Sequence, residues 1–140
     1  MLVTISPPDG VRPSEIADLS VNSARNWCAR LELGFEARAG HGTVLAHRRH
    51  EGPLRVQKAL YPEGPEVCHA LMLHPPAGIA GGDALSVQVR VGEGAKALIT
   101  TPGAGKWYRS NGPLATQRLE FEVGRGGVFE WLPQESIVFD

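Results

Sequence analysis

The segment "TTPGAGKWYRS" (100–110) places a lysine among glycines directly after an apolar run, a composition typical of phosphate-binding loops. Such loops need a Ser or Thr after the Gly-Lys pair to hold Mg²⁺, and a glycine five residues before the second glycine. Trp107 follows Lys106 instead, and Thr100 stands where that glycine is required. The helix whose N-terminal amides should face the phosphates is interrupted at Asn111 by "NGP". The segment is therefore predicted neither to bind GTP nor to hydrolyse it.

A carboxylate follows three glycines and two prolines in the segment "HPPAGIAGGD" (74–83). Glycines allow a positive φ and a close approach of the backbone to another group. Asp83 therefore has two interpretations. It is either an oxygen ligand for a metal or a side chain that closes an Asx-turn before the next strand. From the residues alone, the turn is favoured.

Two further carboxylates lie in "GGVFEWLPQES" (126–136). On a strand, Glu130 points away from its aromatic neighbours Phe129 and Trp131. It is then either a buried acid, which needs a partner or a raised pKa, or an exposed residue on a solvent face. A metal-dependent hydrolase that uses Asp83 and Glu130 is one hypothesis. A glycosidase would need an opposed carboxylate pair and a sugar cleft, and the sequence indicates neither.

Histidines and cysteines are the remaining candidate metal ligands, but none shows the Cys-x₂-Cys or His-Glu-x-x-His spacing of zinc sites. The run "HRRH" (47–50) is predicted to be an exposed turn, and Cys68 and His69 should point to opposite faces of one strand. A closed structural metal site is not predicted. A weak, open site for a metal such as Ni²⁺, built from imidazole and carboxylate, stays open as a hypothesis.

Composition limits the classes of protein that need consideration. The chain has 140 residues, enough for one domain, with 42% hydrophobic residues and a net charge of −1. The charge argues against nucleic acid or an anionic membrane as a partner. No apolar run approaches the roughly 20 residues that cross a bilayer. The start "MLVTISPPDG" lacks the features of a signal peptide, so a cytoplasmic protein with free thiols at Cys28 and Cys68 is expected.

The elements that position these residues are predicted to be strands. Apolar residues alternate with polar ones in "ARLELGFEARA" (29–39) and "LSVQVRVG" (85–92), the run "LRVQKALY" (54–61) is predicted to be a further strand, and turns rich in Gly and Pro recur between such runs. This spacing predicts an all-β sandwich, barrel or coiled β-solenoid. Residues 1–24 are predicted to be a flexible arm, and 25–140 one domain. Because "ESIVFD" (135–140) stops within a new strand, a missing C-terminal portion and an aggregation-prone edge are expected.

Four segments resemble, in the same order and spacing, the UreD (also UreH) family of urease accessory proteins. The likeness extends from about Trp27 to Phe139. Within it, Thr101, Pro102, Lys106, Tyr108 and Arg109 match the family's pattern T-P-x-x-x-K-x-Y/W-R. Gly105 and Trp107 depart from the residues that many relatives carry. The four segments are "GPLRVQKALYPEG" (52–64), "CHALMLHPPAGIAGGD" (68–83), "ALITTPGAGKWYRS" (97–110) and "FEWLPQESIVF" (129–139).

The resemblance implies a β-helical, solenoid-like fold and a non-enzymatic role in urease maturation. A UreD-like scaffold would bind UreF, recruit the GTPase UreG through UreF, and dock on urease apoprotein during GTP-dependent nickel insertion. No catalytic residue and no tightly bound cofactor are expected, since Ni²⁺ would bind only transiently. Asp83 and Glu130 are the predicted residues of the nickel path. The predicted partner-binding residues are Lys106, Tyr108, Arg109, Trp131 and Glu135.

Two points stay open at this level. Proteins of the UreD family are about twice as long as this chain, so the chain is predicted to be the N-terminal portion of such a protein. The alternative to a maturation factor is a β-solenoid or barrel module that binds protein or carbohydrate without any role for a metal.

Overall fold

A computed structural model describes residues 26–76 and 78–139, and in this part of the chain every regular element is a strand. The prediction of an all-β protein is therefore confirmed, whereas the predicted arm (1–24) lies outside the described residues. The strands are β1 (Cys28–Arg38), β2 (Gly42–Glu51), β3 (Arg55–Val56), β4 (Val67–Leu73), β5 (Ala84–Val91), β6 (Lys96–Thr100), β7 (Gly105–Trp107), β8 (Thr116–Val123), β9 (Val128–Leu132) and β10 (Ser136–Val138).

The strands form two four-stranded sheets and one small sheet. The first large sheet has the order β2-β1-β5-β8 and the second β3-β4-β6-β9, while β7 pairs with β10. The pairs β1–β2 and β3–β4 are antiparallel, and all the other pairs are parallel. Since parallel neighbours need a crossover connection, the chain passes from one large sheet to the other and back.

Two successive passes share one register. Gln88 of β5 lies beside Glu120 of β8, 32 residues further along the chain. The same spacing joins Lys96 of β6 to Val128 of β9. A constant spacing of this kind is typical of a coiled stack of strands. The two sheets are mixed and not closed, so a solenoid-like architecture for the whole domain stays a prediction.

The core lies between the two large sheets and follows the predicted alternation. On β1, Leu31, Leu33 and Phe35 are buried, and only Ala37, near the end of the strand, departs from the predicted face. Each fully buried aliphatic or aromatic side chain contributes about 1.5–3 kcal/mol relative to an exposed one. Thr43 adds a polar link, because its buried hydroxyl oxygen accepts a hydrogen bond of 2.9 Å from the Lys96 amide of the opposite sheet. The sheets are thus joined by apolar packing and by the buried hydrogen bond between Thr43 and Lys96.

Two local predictions need correction. The run "HRRH" (47–50) is exposed, but it lies within β2 and not in a turn, because these residues pair with residues 31–34 of β1. The predicted strand "LRVQKALY" (54–61) is reduced to Arg55–Val56, with an isolated bridge at Leu60. Between them the Gln57 amide still donates to the Leu71 carbonyl at 3.0 Å. Residues 57–61 therefore follow β4 without forming a continuous strand.

Candidate functional site

The segments of residues 74–83 and 100–110 lie against each other. The Ile79 amide donates to the Lys106 carbonyl at 2.8 Å, and the Tyr108 amide donates to the Ile79 carbonyl at 2.9 Å. Gly78 faces the ring of Tyr108 so closely that a Cβ atom there would overlap with it. The glycines were predicted to permit a close approach, and this prediction is confirmed.

The segment of residues 129–139 contacts the same place. The Gly105 amide donates to the Glu135 carbonyl at 2.9 Å, and the Phe139 amide donates to the Trp107 carbonyl at 2.9 Å. The Thr101 hydroxyl accepts a bond of 3.0 Å from the Gln134 amide. Three segments that are distant in the sequence therefore meet here. Two of them form the surface that we call the β7–β10 surface and define as residues 105–109 and 135–139.

The β7–β10 surface is aromatic and charged. The rings of Tyr108 and Phe139 are stacked, with centroids 5.3 Å apart and planes 17° apart, and 48% and 44% of these residues remain exposed. Lys106, Arg109 and Glu135 are exposed beside them. Exposed aromatic side chains next to arginine are enriched at protein interfaces, because they supply contact area at a low cost in side-chain entropy. The structure thus brings four of the five predicted partner-binding residues together.

The fifth predicted residue, Trp131, lies elsewhere. Its half-buried ring packs 5.3 Å from Phe121 at the edge of the core, where Phe129 completes an aromatic cluster. A role for Trp131 in partner binding stays a prediction. Its neighbour Glu130 is exposed on β9, so the alternative of a buried acid is wrong. The strand has one covered face and one open face, and Glu130 lies on the open one.

Asp83 is buried and hydrogen-bonded. It is 3% exposed, its Oδ1 accepts a hydrogen bond of 2.9 Å from the Trp27 amide, and its Oδ2 accepts one of 2.9 Å from the Ala80 amide. The Asp83 amide in turn donates to the Ala80 carbonyl at 3.0 Å. Asp83 thus closes a turn before β5, but this is not the predicted Asx-turn, because its carboxylate accepts from the amide of residue 80, three positions earlier, and not from an amide two positions later. Its place on a nickel path stays a prediction. We call Trp27, His74, Ala80 and Asp83 the Asp83 junction.

His74 belongs to this junction, although the sequence pattern did not single it out from the other histidines. Its Nε2 atom is buried and has no hydrogen-bond partner among the described residues. Burial lowers the pKa of His74 from its ordinary value, and the nearby Asp83 carboxylate acts in the opposite direction. Burial therefore favours the neutral imidazole. Only the position of His74 directly before Pro75-Pro76 could have indicated a constrained site.

The other candidate ligands are dispersed. Within residues 26–76 and 78–139, no three His, Cys, Asp or Glu side chains gather in a way that could hold a metal ion. Cys28 is exposed and Cys68 is buried, and both thiols are free, as predicted. His69 points away from Cys68 and bonds Glu63 at 2.6 Å. The residues after Lys106 form β7 and a loop without a helix, so the nucleotide-binding interpretation has no structural support.

The described residues contain no helical segment with the length and hydrophobicity that a membrane crossing would need.

Together, fold and site define an all-β domain with a buried, hydrogen-bonded junction beneath an exposed aromatic and charged surface. The family model described as "UreD urease accessory protein" matches residues 28–140. The chain is 65% identical over 115 residues to the urease accessory protein UreD of Dechloromonas aromatica, covering 82% of this chain and 40% of the relative. It is 58% identical over 116 residues to that of Delftia acidovorans, covering 83% and 38%.

A third relative, UreD of Azoarcus sp., is 65% identical over 114 residues, which are 81% of this chain and 40% of the relative. The chain belongs to the UreD family of urease accessory proteins. It spans about 40% of the length of the relatives that it matches.

Proposed function

We propose that this chain acts in the maturation of urease in the cytoplasm, as the N-terminal portion of a UreD-type scaffold. The scaffold binds UreF, receives the GTPase UreG through UreF, and docks on urease apoprotein, so that nickel is inserted in a GTP-dependent step. The observation that carries the proposal is the family match over residues 28–140. The family's relatives are named as urease accessory proteins, which supports a role in maturation.

The β7–β10 surface supports a protein partner for this portion of the scaffold. Three of the resembling segments meet there, and they expose the Tyr108–Phe139 stack together with Lys106 and Arg109. Buried aromatic and arginine side chains contribute most of the binding energy in many protein interfaces. We therefore assign UreF, the first partner in the proposed order, to this surface.

A catalytic role is not part of the proposal. Both carboxylate oxygens of Asp83 accept backbone hydrogen bonds, whereas Glu130 lies on the exposed face of the other sheet. A hydrolase that uses the two as a pair would need them to face one substrate. This arrangement favours a scaffold over the hydrolase hypothesis.

Nickel is proposed as transient cargo and not as a resident cofactor. Oxygen ligands bind Ni²⁺ more weakly than thiolates do and therefore release it more readily. Asp83 and Glu130 are the carboxylates proposed for the nickel path. The buried Asp83 carboxylate could contact a passing ion only through lone pairs that its two backbone bonds leave free. Of the two, the exposed Glu130 is the more accessible.

A solenoid-like fold is part of the same proposal. The shared register of the pairs β5–β8 and β6–β9 would let further coils continue the two sheets at β8 and β9. The aromatic cluster of Phe121, Phe129 and Trp131 lies at this end of the core and is only partly buried. A following coil would cover it.

The binding step is tested by capture. The tagged chain is co-expressed with UreF and urease apoprotein, and the recovered proteins are identified by mass spectrometry. The proposal predicts capture of UreF, and capture of urease apoprotein when UreF is present. Lys106→Ala with Arg109→Ala should reduce capture of UreF, whereas the control Arg125→Ala, an exposed arginine outside the surface, should not. Capture of neither partner would favour the alternative of a general binding module.

The nickel step needs a full-length UreD relative with Asp83→Asn or Glu130→Gln at the equivalent positions. Recovered urease should contain less nickel although UreF binding persists. Unchanged nickel content, or loss of UreF binding with loss of folding, would reject the path for that residue.

A further inference from the structure

A cleft of about 690 Å³ opens at one side of the domain, where the outermost parts of the two large sheets separate. Strand β2 forms one wall and residues 58–61, after β3, form the other. The cleft lies apart from the β7–β10 surface, with which it shares no residue. We call it the lateral cleft.

A β-bulge directs a cation into the lateral cleft. Phe35 pairs with Leu45 and Gly34 pairs with His47, so Ala46 has no partner and the register shifts there. After the shift, Arg48 lies opposite Leu33, whose side chain is buried in the core. Residues directly opposite each other on paired strands share one face of the sheet. Arg48 is therefore an exposed cation on the core-facing side of an edge strand.

The positive charge of the lateral cleft is not neutralised by its surroundings. Arg48 and Lys58 are its charged lining residues, and no acidic residue lines it. Within residues 26–76 and 78–139, neither side chain takes part in a salt bridge, whereas the adjacent Arg49 bonds Glu51 at 2.7 Å. Two unpaired cations in a concave, partly apolar site attract an anion.

The remaining lining residues of the cleft are Tyr61 and aliphatic residues. The ring of Tyr61 is 40% exposed. Burial raises the pKa of the Tyr61 phenol above its ordinary value, so the phenol stays neutral. Leu45 and Ala59 line the cleft beside the ring. The cleft thus places a small apolar patch next to two cations, and its volume exceeds what a single small anion requires.

We propose that the lateral cleft binds an extended acidic segment of a partner protein, with a carboxylate on Arg48 and Lys58 and an adjacent apolar side chain against Tyr61 and Leu45. Inward-pointing charges also protect edge strands from aggregation. Edge protection explains Arg48, but it requires neither Lys58 on the opposite wall nor the exposed ring of Tyr61. Charge complementarity and the apolar wall together specify the occupant.

The test uses the purified chain and a fluorescein-labelled ten-residue peptide of alternating Glu and Val, with binding followed by fluorescence anisotropy. A Lys-Val peptide of the same length is the control ligand. The Glu-Val peptide should bind saturably and more weakly as salt is raised. Arg48→Ala and Lys58→Ala should each weaken binding about tenfold, because each removes a charged hydrogen-bond donor. Arg125→Ala, which makes the same change in net charge, should have less than about a twofold effect.

The remaining variants separate this proposal from its alternatives. Arg109→Ala, on the β7–β10 surface, should leave peptide binding unchanged, so failure of the proposed UreF site and failure of the cleft are distinguishable. The double variant Arg48→Glu with Lys58→Glu should bind the Lys-Val peptide instead, which requires a folded cleft.

Three outcomes would overturn the proposal: no saturable binding of the Glu-Val peptide, equal loss in Arg48→Ala and Arg125→Ala, or displacement of the peptide by inorganic phosphate at the peptide's own affinity. The first outcome, combined with aggregation of Arg48→Ala, would leave edge protection as the role of Arg48. The third would indicate a site for free anions.

Discussion

The Asp83 junction and the β7–β10 surface are neighbours in the structure, and they hold their polar groups in opposite ways. At the junction, one buried carboxylate satisfies two backbone amides that belong to Trp27 and Ala80. On the surface, the side chains of Lys106, Arg109 and Glu135 are exposed. The contrast indicates that substitutions at the junction should act mainly on folding, whereas substitutions on the surface should act mainly on partners.

The largest effect is expected for Asp83→Ala. The substitution removes the two charge-assisted hydrogen bonds that the Asp83 carboxylate accepts from the amides of Trp27 and Ala80, which costs about 3 kcal/mol in the free energy of unfolding. Urea denaturation followed by circular dichroism measures this change. The matched control is Glu135→Ala, which removes an exposed carboxylate from the β7–β10 surface and should leave the urea midpoint unchanged. Equal midpoints for the two variants would contradict the proposed division between the regions.

Gly82→Ala should be the next most damaging change. Gly82 has φ +90°, and a Cβ atom there would overlap with the side chain of Asn26. Backbone strain of this kind costs about 1–3 kcal/mol. Gly103→Ala, in the loop between β6 and β7, is the control because a Cβ atom there meets nothing within 4 Å. Thermal unfolding of the two variants should therefore differ, and similar melting temperatures would reject the requirement for glycine at position 82.

Tyr108→Ala should have a small effect on stability and a larger one on binding. Loss of the half-exposed stack on Phe139 should cost about 1 kcal/mol. Tyr108→Phe keeps the stack and is the control. Under the proposed function, capture of UreF should fall for Tyr108→Ala and persist for Tyr108→Phe. A large drop in the melting temperature without any change in capture would place Tyr108 with the structural residues.

The smallest expected effect is a change in the pH dependence of stability. Burial lowers the pKa of His74 below the ordinary histidine value of 6.5, so the unfolded state binds the proton more readily than the folded state does. Stability should therefore fall as the pH drops through about 6.5 and level off below the folded-state pKa. His74→Gln should flatten this part of the profile. Urea midpoints between pH 8 and 5 measure it, with His41→Gln, an exposed histidine, as the control.

An unchanged slope in His74→Gln would show that the histidine is not responsible. The β7–β10 surface contains no histidine in its residues 105–109 and 135–139, so UreF capture should not follow the same pH profile.

Much of the fold could be predicted from local pattern. The alternation in β1 and β5 identified the buried residues correctly except at Ala37, since side chains on a strand point to opposite faces in turn. The exposed "HRRH" run was misassigned to a turn because four charged or polar residues in a row show no strand-like alternation. Only the pairing with β1 shows that the run belongs to a strand. The length of β3 was overestimated. Residues 54–61 have a strand-like composition, but their hydrogen bonds are irregular.

The candidate site was predictable in part. The glycines before Asp83 indicated close packing, and family resemblance identified Lys106, Tyr108 and Arg109. For His74 the only local signal was its position directly before Pro75-Pro76, and the role of Trp27 had no local signal. Trp27 contributes backbone groups, and its amide reaches Asp83 across 56 positions of the chain.

The sequence by itself determined the all-β class, the buried faces of the main strands, the free thiols and the family, because each depends on local alternation, on composition or on motifs in order. Tertiary structure alone decided that Asp83 is buried and that Arg48 and Lys58 form no salt bridge with any of the described residues. Asp83 and Glu130 both follow glycine-rich stretches, yet one lies at the contact between two chain segments and the other on an open strand face. Burial and hydrogen bonding of a carboxylate depend on what the rest of the chain places around it, and spacing along the sequence does not contain that information.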